Sequence, residues 1–188
     1  QKWANLCDVV AQSIAFHKCT VQILGYVQIK SSLKIDYKTT HQMTLCNSKG
    51  ATSKIKYLPP NMPNEGLGFR QALDGNQTHE FDRCVTKVNN MCKAAVSMRL
   101  SQSEANTMLN RRLTPQTTYI MRLTQFNNKQ CHQLDKIVLG TFLPLMVINR
   151  SMPRAIVHGP LQYGGMTIVK HSPLQDQWGI HFFVQSLR

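Results

Sequence analysis

The sequence predicts an α+β fold, a small antiparallel sheet with one helix followed by a helical bundle, and three observations predict it. Short β-branched and aromatic runs separated by polar turns occupy the first third of the chain. Pro59-Pro60 and Pro63 then interrupt every regular pattern. Beyond residue 77, apolar residues recur at helical spacing. Residues 64–76, NEGLGFRQALDGN, lie where the two styles meet. Leu67-Gly68-Phe69 begins like a strand, and Asp74-Gly75-Asn76 closes like a tight turn because an Asp-Gly pair tolerates positive φ. The stretch reads as half of a hairpin. The expected divisions are therefore 1–63, 64–76, 77–146 and 147–188.

Taken in order, Trp3, Leu6, Val9, Val10 and Ile14 are spaced as one face of a short amphipathic helix. CTVQILGYVQI, after His17-Lys18, reads as a strand. Further strands are expected over 33–37, 43–46 and 53–58, with a polar turn at Asn47-Ser48-Lys49-Gly50. Phe81, Cys84, Val85, Val88, Met91, Cys92, Ala95 and Met98 follow the i, i+3, i+4, i+7 rule and predict a long helix. Ser101-x-x-Glu104 has the form of a capping box opening a second, with Ala105, Met108 and Leu109 on its apolar face. Thr114-Pro115 places a capping side chain before a proline and predicts the start of a third, carrying Tyr119, Ile120 and Leu123. Asn127-Asn128 introduces a fourth, with Leu134, Ile137 and Val138, ending near Pro144. Then come a basic loop over 149–154, a strand candidate over 155–158, turns at Gly159-Pro160 and Gly164-Gly165, and a last helix opened by Ser172-Pro173.

The charge is lopsided, with 22 Lys+Arg against 9 Asp+Glu and a formal net charge of +13. Such an excess favours polyanionic partners, nucleic acid before an acidic membrane surface. Residues 1–64 carry a net +6, residues 65–104 none and residues 105–188 a net +7, so two basic regions flank a neutral middle. The six cysteines have no C-x-x-C spacing and support neither a zinc site nor a disulfide framework. No apolar run approaches the roughly 20 residues that span a membrane, so no membrane partner is expected. An intracellular location, cytoplasmic or nuclear, follows as an expectation. The carboxylates are scattered, and no Walker loop, G-x-S-x-G or H-E-x-x-H occurs, which argues against a self-contained active site. The chain opens on Gln1 and closes in a helical pattern at Arg188, as a portion of something longer would.

The order of features resembles a known family. Gln1-Lys2-Trp3 and an amphipathic helix, then Ser13-Ile14-Ala15-Phe16-His17-Lys18-Cys19 leading into a strand, are similar to the stretch that follows the catalytic Asp-Asp motif in retroelement reverse transcriptases of the non-LTR-like kind. Leu67-Gly68-Phe69 with Asp74-Gly75 resembles the Leu-Gly hairpin that follows it, the primer grip. The block from Arg150 to Pro160, RSMPRAIVHGP, with Gly164-Gly165, is similar to a segment farther downstream. The resemblance covers nearly the whole chain as a series of short motifs. One departure is the absence of glycine from Val10-Ala11-Gln12-Ser13, where the family usually has one.

That resemblance implies the end of a polymerase palm, a primer-grip hairpin and a thumb. It makes Lys18 the lysine near the incoming nucleotide, where a cationic acid would protonate the leaving pyrophosphate. It gives Leu67, Gly68 and Phe69 the task of supporting the primer terminus through backbone approach. Arg111 and Arg112 would reach phosphates from the thumb, and Arg150 and Arg154 from the loop, giving affinity without base specificity. Read from the residues alone, Lys18 is equally a solvated lysine at a strand start, the hairpin an ordinary buried one, and the arginines solvating groups. No residue of this chain is assigned as a metal ligand. The implied partners are a template–primer duplex, RNA–DNA or DNA, and the upstream palm and fingers of the same polyprotein, whose aspartates would hold Mg2+. The isolated chain is not expected to polymerise. The other readings are a non-catalytic nucleic-acid-binding module and a degenerate retroelement remnant.

Overall fold

The computed structural model describes residues 20–40, 42–46, 52–66 and 69–187. The helix expected over 1–16, Lys18, the turn at 47–50 and Leu67-Gly68 lie outside the described residues. The fold is α+β, in two compact units, Gln1–Asn76 and Gln77–Arg188.

The described residues of the first unit form three small sheets. β1 (Thr20–Val21) pairs in parallel with β5 (Thr52–Tyr57), which pairs antiparallel with β4 (Met43–Cys46), giving the order β1-β5-β4. The long strand expected across CTVQILGYVQI is broken, because residues 22–24 leave the ladder before β2 (Gly25–Ile29) pairs antiparallel with β3 (Ser32–Asp36). Gln22 has another task there. Its Nε2 donates to the carbonyls of Pro59 and Met62 at 3.2 and 2.7 Å, satisfying backbone in a proline-rich segment that has few amides of its own to pair.

The expected hairpin is present but displaced. β6 (Asn64–Gly66) and β7 (Phe69–Gln71) pair with Gly66 opposite Phe69, so its two strands flank Leu67-Gly68. The Asp74-Gly75 turn forms too, with Gly75 at φ +80° and Asp74 Oδ1 accepting the Asn76 N–H at 2.9 Å. It follows both strands instead of joining them: the local turn chemistry was sound, and the pairing partner lay on its other side. Among the described residues of this unit only Pro60 and Ala72 are buried.

The main core belongs to the second unit. α1 (Thr78–Ser97) buries Phe81, Cys84, Val88, Cys92 and Ala95 of the predicted stripe, with Val85 and Met91 partly buried and Met98, just past the helix, exposed. α2 (Gln102–Met108) opens with the predicted capping box: Ser101 Oγ accepts the Glu104 N–H, and the Glu104 carboxylate accepts the Ser101 N–H.

Thr114-Pro115 does not start a separate helix. α2 runs through a π turn, Leu109–Leu113, straight into α3 (Thr114–Leu123), and Thr114 is itself helical with no capping bond. Pro115 has no N–H to donate and its ring crowds the carbonyl four residues back. The π turn widens the ladder just before it, with the Thr114 N–H reaching the Leu109 carbonyl five residues away. The wider turn also keeps Ala105, Leu109, Leu113 and Thr117, all buried, on one side. A stride of four outruns an ordinary helix of 3.6 residues per turn.

α4 (Asn128–Leu145) is capped by Asn127 and Gln130 and buries Leu134, Val138, Phe142 and Leu143, with Pro144 in its last turn. The expected strand over 155–158 is instead a helix, α5 (Arg154–His158). Ile156 and Val157 favour strands locally, yet Pro153 precedes a helical turn here, and the Ile156 and Val157 carbonyls accept the Met166 and Ile168 amides at 3.0 and 3.1 Å. This crossing buries Val157 and Ile168 in the common core, which therefore continues past residue 146. α6 (His171–Ser186) completes the unit.

Gln175 anchors α6 to the junction of α3 and α4. Its buried amide donates to the Met121 carbonyl at 3.0 Å and accepts the Phe126 N–H at 3.3 Å. Gln175→Leu will strand both backbone groups and lower stability by about 2 kcal/mol, read as an earlier urea midpoint at unchanged slope.

Candidate nucleic-acid interface

α4 carries a stripe that is polar and cationic in its first half and apolar and largely buried in its second. Lys129, His132 and Lys136 follow one another at i, i+3 and i+7, and Leu139, Gly140 and Leu143 continue the same line. The segment around α5 supplies an opposite wall, Arg150, Arg154 and His158, and Lys170 closes one end. Together His132, Asp135, Lys136, Leu139, Gly140, Leu143, Arg150, Arg154, His158 and Lys170 enclose a cavity of about 420 Å³. A neighbouring hollow of about 500 Å³ shares His132, Asp135 and Lys170 and adds Lys129, so the two form one groove.

The charges divide by depth. Leu139, Leu143 and Asp135 are buried, whereas Lys136, Arg150, Arg154 and Lys170 are exposed, which puts an apolar floor beneath a cationic rim. Among the described residues none of the four rim cations is paired with a carboxylate. Their charge is available to an incoming anion.

Two histidines are held in place by hydrogen bonds. His158 Nδ1 lies 2.8 Å from the Ile168 carbonyl and donates to it, which leaves Nε2 as the ring's other polar atom. His171, the first residue of α6, has no side-chain cap before it. Asp135 replaces one from α4: its Oδ1 accepts the His171 backbone N–H at 3.1 Å and lies 2.6 Å from the ring Nδ1. A carboxylate at a helix N-terminus is favoured by the helix dipole, and here it also ties α6 to the groove's floor.

Gly159 and Gly165 bring the α5 wall close to the returning chain. A Cβ at Gly165 would stand 2.2 Å from the Gly159 carbonyl oxygen, and one at Gly159 would stand 2.6 Å from that of Ala155. Gly164 between them sits at φ +76°. The Gly-Pro and Gly-Gly turns predicted from the sequence are thus what lets residues 154–158 and 166–170 face one another.

The structure brings Arg150 and Arg154 into this groove. Arg111 and Arg112 are exposed on the π turn and are not among the lining residues. Phe69 opens β7 in the first unit, half-buried, beside a cavity of about 220 Å³ that Gln22, Asn64, Gln71 and Leu73 also line. Lys18, Leu67 and Gly68 lie outside the described residues. Lys136, Lys170, His132 and His158 were not singled out from sequence, although the 129-132-136 spacing was a visible signal. Among the described residues no group of three or more His, Cys, Asp or Glu is placed to hold a metal ion. Among them, too, no helix is long and apolar enough to cross a membrane.

Cys84, Cys92 and Cys131 are free and buried. Burial pushes the Cys84 thiol up to about 12, reinforced by Glu80 and opposed by Lys87. It pushes Cys131 up to about 11, reinforced by Asp135 and Asp176. Cys92 is raised by burial as well. The unfolded chain ionises these thiols near their ordinary value of 9.0 and the folded chain only higher, so their contribution to stability is complete below pH 9 and is lost as pH rises toward 12. Peptide mapping after brief alkylation at neutral pH should leave all three unlabelled in the native chain and label them in urea.

No family model, curated protein or solved structure matches this chain.

Proposed function

We propose that the chain holds a nucleic-acid duplex by its phosphates, as the palm-end and thumb portion of a retroelement reverse transcriptase whose catalytic aspartates lie upstream. The observation that carries the binding part is the convergence of Lys136, Arg150, Arg154 and Lys170, unpaired with carboxylates among the described residues, around one groove on the helical unit. Four cations on rigid helices and a tightly crossed loop offer spaced contacts to a polyanion without reading base edges. The polymerase part rests on the resemblance of Lys18-Cys19, Leu67-Gly68-Phe69 and the 150–160 block, in that order, to the family.

Chemically, the groove binds and orients. The four cations offset phosphate charge, and His158, fixed through Nδ1, presents Nε2 beside them. Phosphoryl transfer itself would be done by the upstream segment. In the test, the full chain is photocrosslinked to RNA–DNA hybrids of two unrelated sequences. Equal affinities, with crosslinks in peptides spanning 129–170, are expected. Preference for one sequence, or crosslinks confined to other peptides, would reject phosphate holding by this groove. A Tyr- or Phe-x-Asp-Asp motif a short way upstream in an intact reading frame separates the polymerase from a non-catalytic binding module.

A further inference from the structure

The groove is deeper and less polar at its base than phosphate contacts require. A duplex backbone needs a track of exposed cations, and Lys136, Arg150, Arg154 and Lys170 provide that at the rim. Beneath them lie about 420 Å³ floored by Leu139, Gly140 and Leu143, a volume within the range of small-ligand pockets. Asp135 also reaches this floor, and a carboxylate there repels a phosphate going deeper while still accepting hydrogen bonds.

Gly140 sharpens the point. It sits well inside α4, where glycine is a poorer helix former than alanine. Nothing in the packing asks for it, since a Cβ built at Gly140 would meet no atom within 4 Å. Its φ is not in the left-handed range either. The space a side chain would take is the cavity itself.

Building on the phosphate-holding reading, we infer that this cavity takes one unpaired nucleotide of the bound strand, its base over Gly140 and beside Leu139 and its phosphate at Arg150 and Arg154. The charge arrangement selects this occupant: an apolar, hydrogen-bonding body with an anionic end fits a buried apolar floor under a cationic rim. The site then favours duplex with a single-stranded extension or a bulge over blunt duplex.

The test measures fluorescence anisotropy of the full chain with a blunt duplex, the same duplex bearing a short single-stranded extension, and an acidic peptide as competitor. Gly140→Phe is the blocking variant and Gly140→Ala the control for folding. Wild type should bind the extended duplex about tenfold more tightly than the blunt one. Gly140→Phe should abolish that preference, bringing the ratio of the two affinities to about one, and melt no lower than wild type. Equal binding of both duplexes by wild type, or an undiminished preference in a folded Gly140→Phe chain, overturns the inference and leaves phosphate holding intact. Displacement of the extension by the acidic peptide at equal charge also overturns it, in favour of a peptide site. Failure of wild type to bind either duplex would instead overturn the phosphate-holding reading, and the inference with it.

Discussion

Replacing Lys136, Arg150, Arg154 and Lys170 together by alanine will weaken duplex binding at low salt by roughly a hundredfold to a thousandfold, and flatten its salt dependence by about 3–4 logarithmic units. All four side chains are exposed and none is paired with a carboxylate among the described residues, so the fold should survive the change with an unaltered melting curve. The same substitution of Arg111 and Arg112 should cost much less, because neither lines the groove. Equal losses from the two sets, measured by anisotropy under one buffer, would move the interface from the α5 wall to the π turn.

Gly165→Ala will have the largest effect on stability of any single methyl added to the groove's walls. Its Cβ would lie 2.2 Å from the Gly159 carbonyl oxygen and 2.3 Å from the carbonyl carbon, so the backbone itself must move. Overpacking of this kind costs about 3 kcal/mol. The crossing it disturbs also carries the hydrogen bonds from Met166 to Ile156 and from Ile168 to Val157, which position Arg154 and His158. Urea unfolding should report the loss, and duplex affinity should fall with it even in conditions where the chain remains folded. A Gly165→Ala chain as stable as wild type would mean that the crossing yields without strain.

Features set by a few neighbouring residues were legible in the sequence. The caps at Ser101 and Asn127 need only a side chain and an amide three residues on, and both formed where the letters placed them. The stripe from Phe81 to Ala95 was legible for the same reason, since about four turns of one period leave little choice of face. Where distant partners decide, local reading misled. Ile156 and Val157 look like strand, but the amides they satisfy belong to Met166 and Ile168 and come from a returning segment that the sequence does not announce. The turn at Asp74-Gly75 was visible, whereas the choice of β6 as the partner of β7 was not. Pro115 looked like a helix start, because nothing local shows that a π turn will carry the helix through it.

The groove divides the same way. Arg150 and Arg154 stood out as a basic loop beside prolines, whereas Lys129, His132 and Lys136, spaced along one helical face, did not. Their meeting with His158 and Lys170 depends on Gly159 and Gly165 approaching each other, a contact between residues six apart that only the folded chain displays. Gly140 had no sequence signal at all. It is a lone glycine in a helical pattern, and its significance comes from the emptiness above it.

The most direct measurement is the affinity of the full chain for an RNA–DNA hybrid across a series of salt concentrations. Four phosphates engaged at the groove predict a logarithmic slope of about −3 to −4. A slope near zero, or no measurable binding at low salt, would contradict the claim that this chain holds nucleic acid by its phosphates.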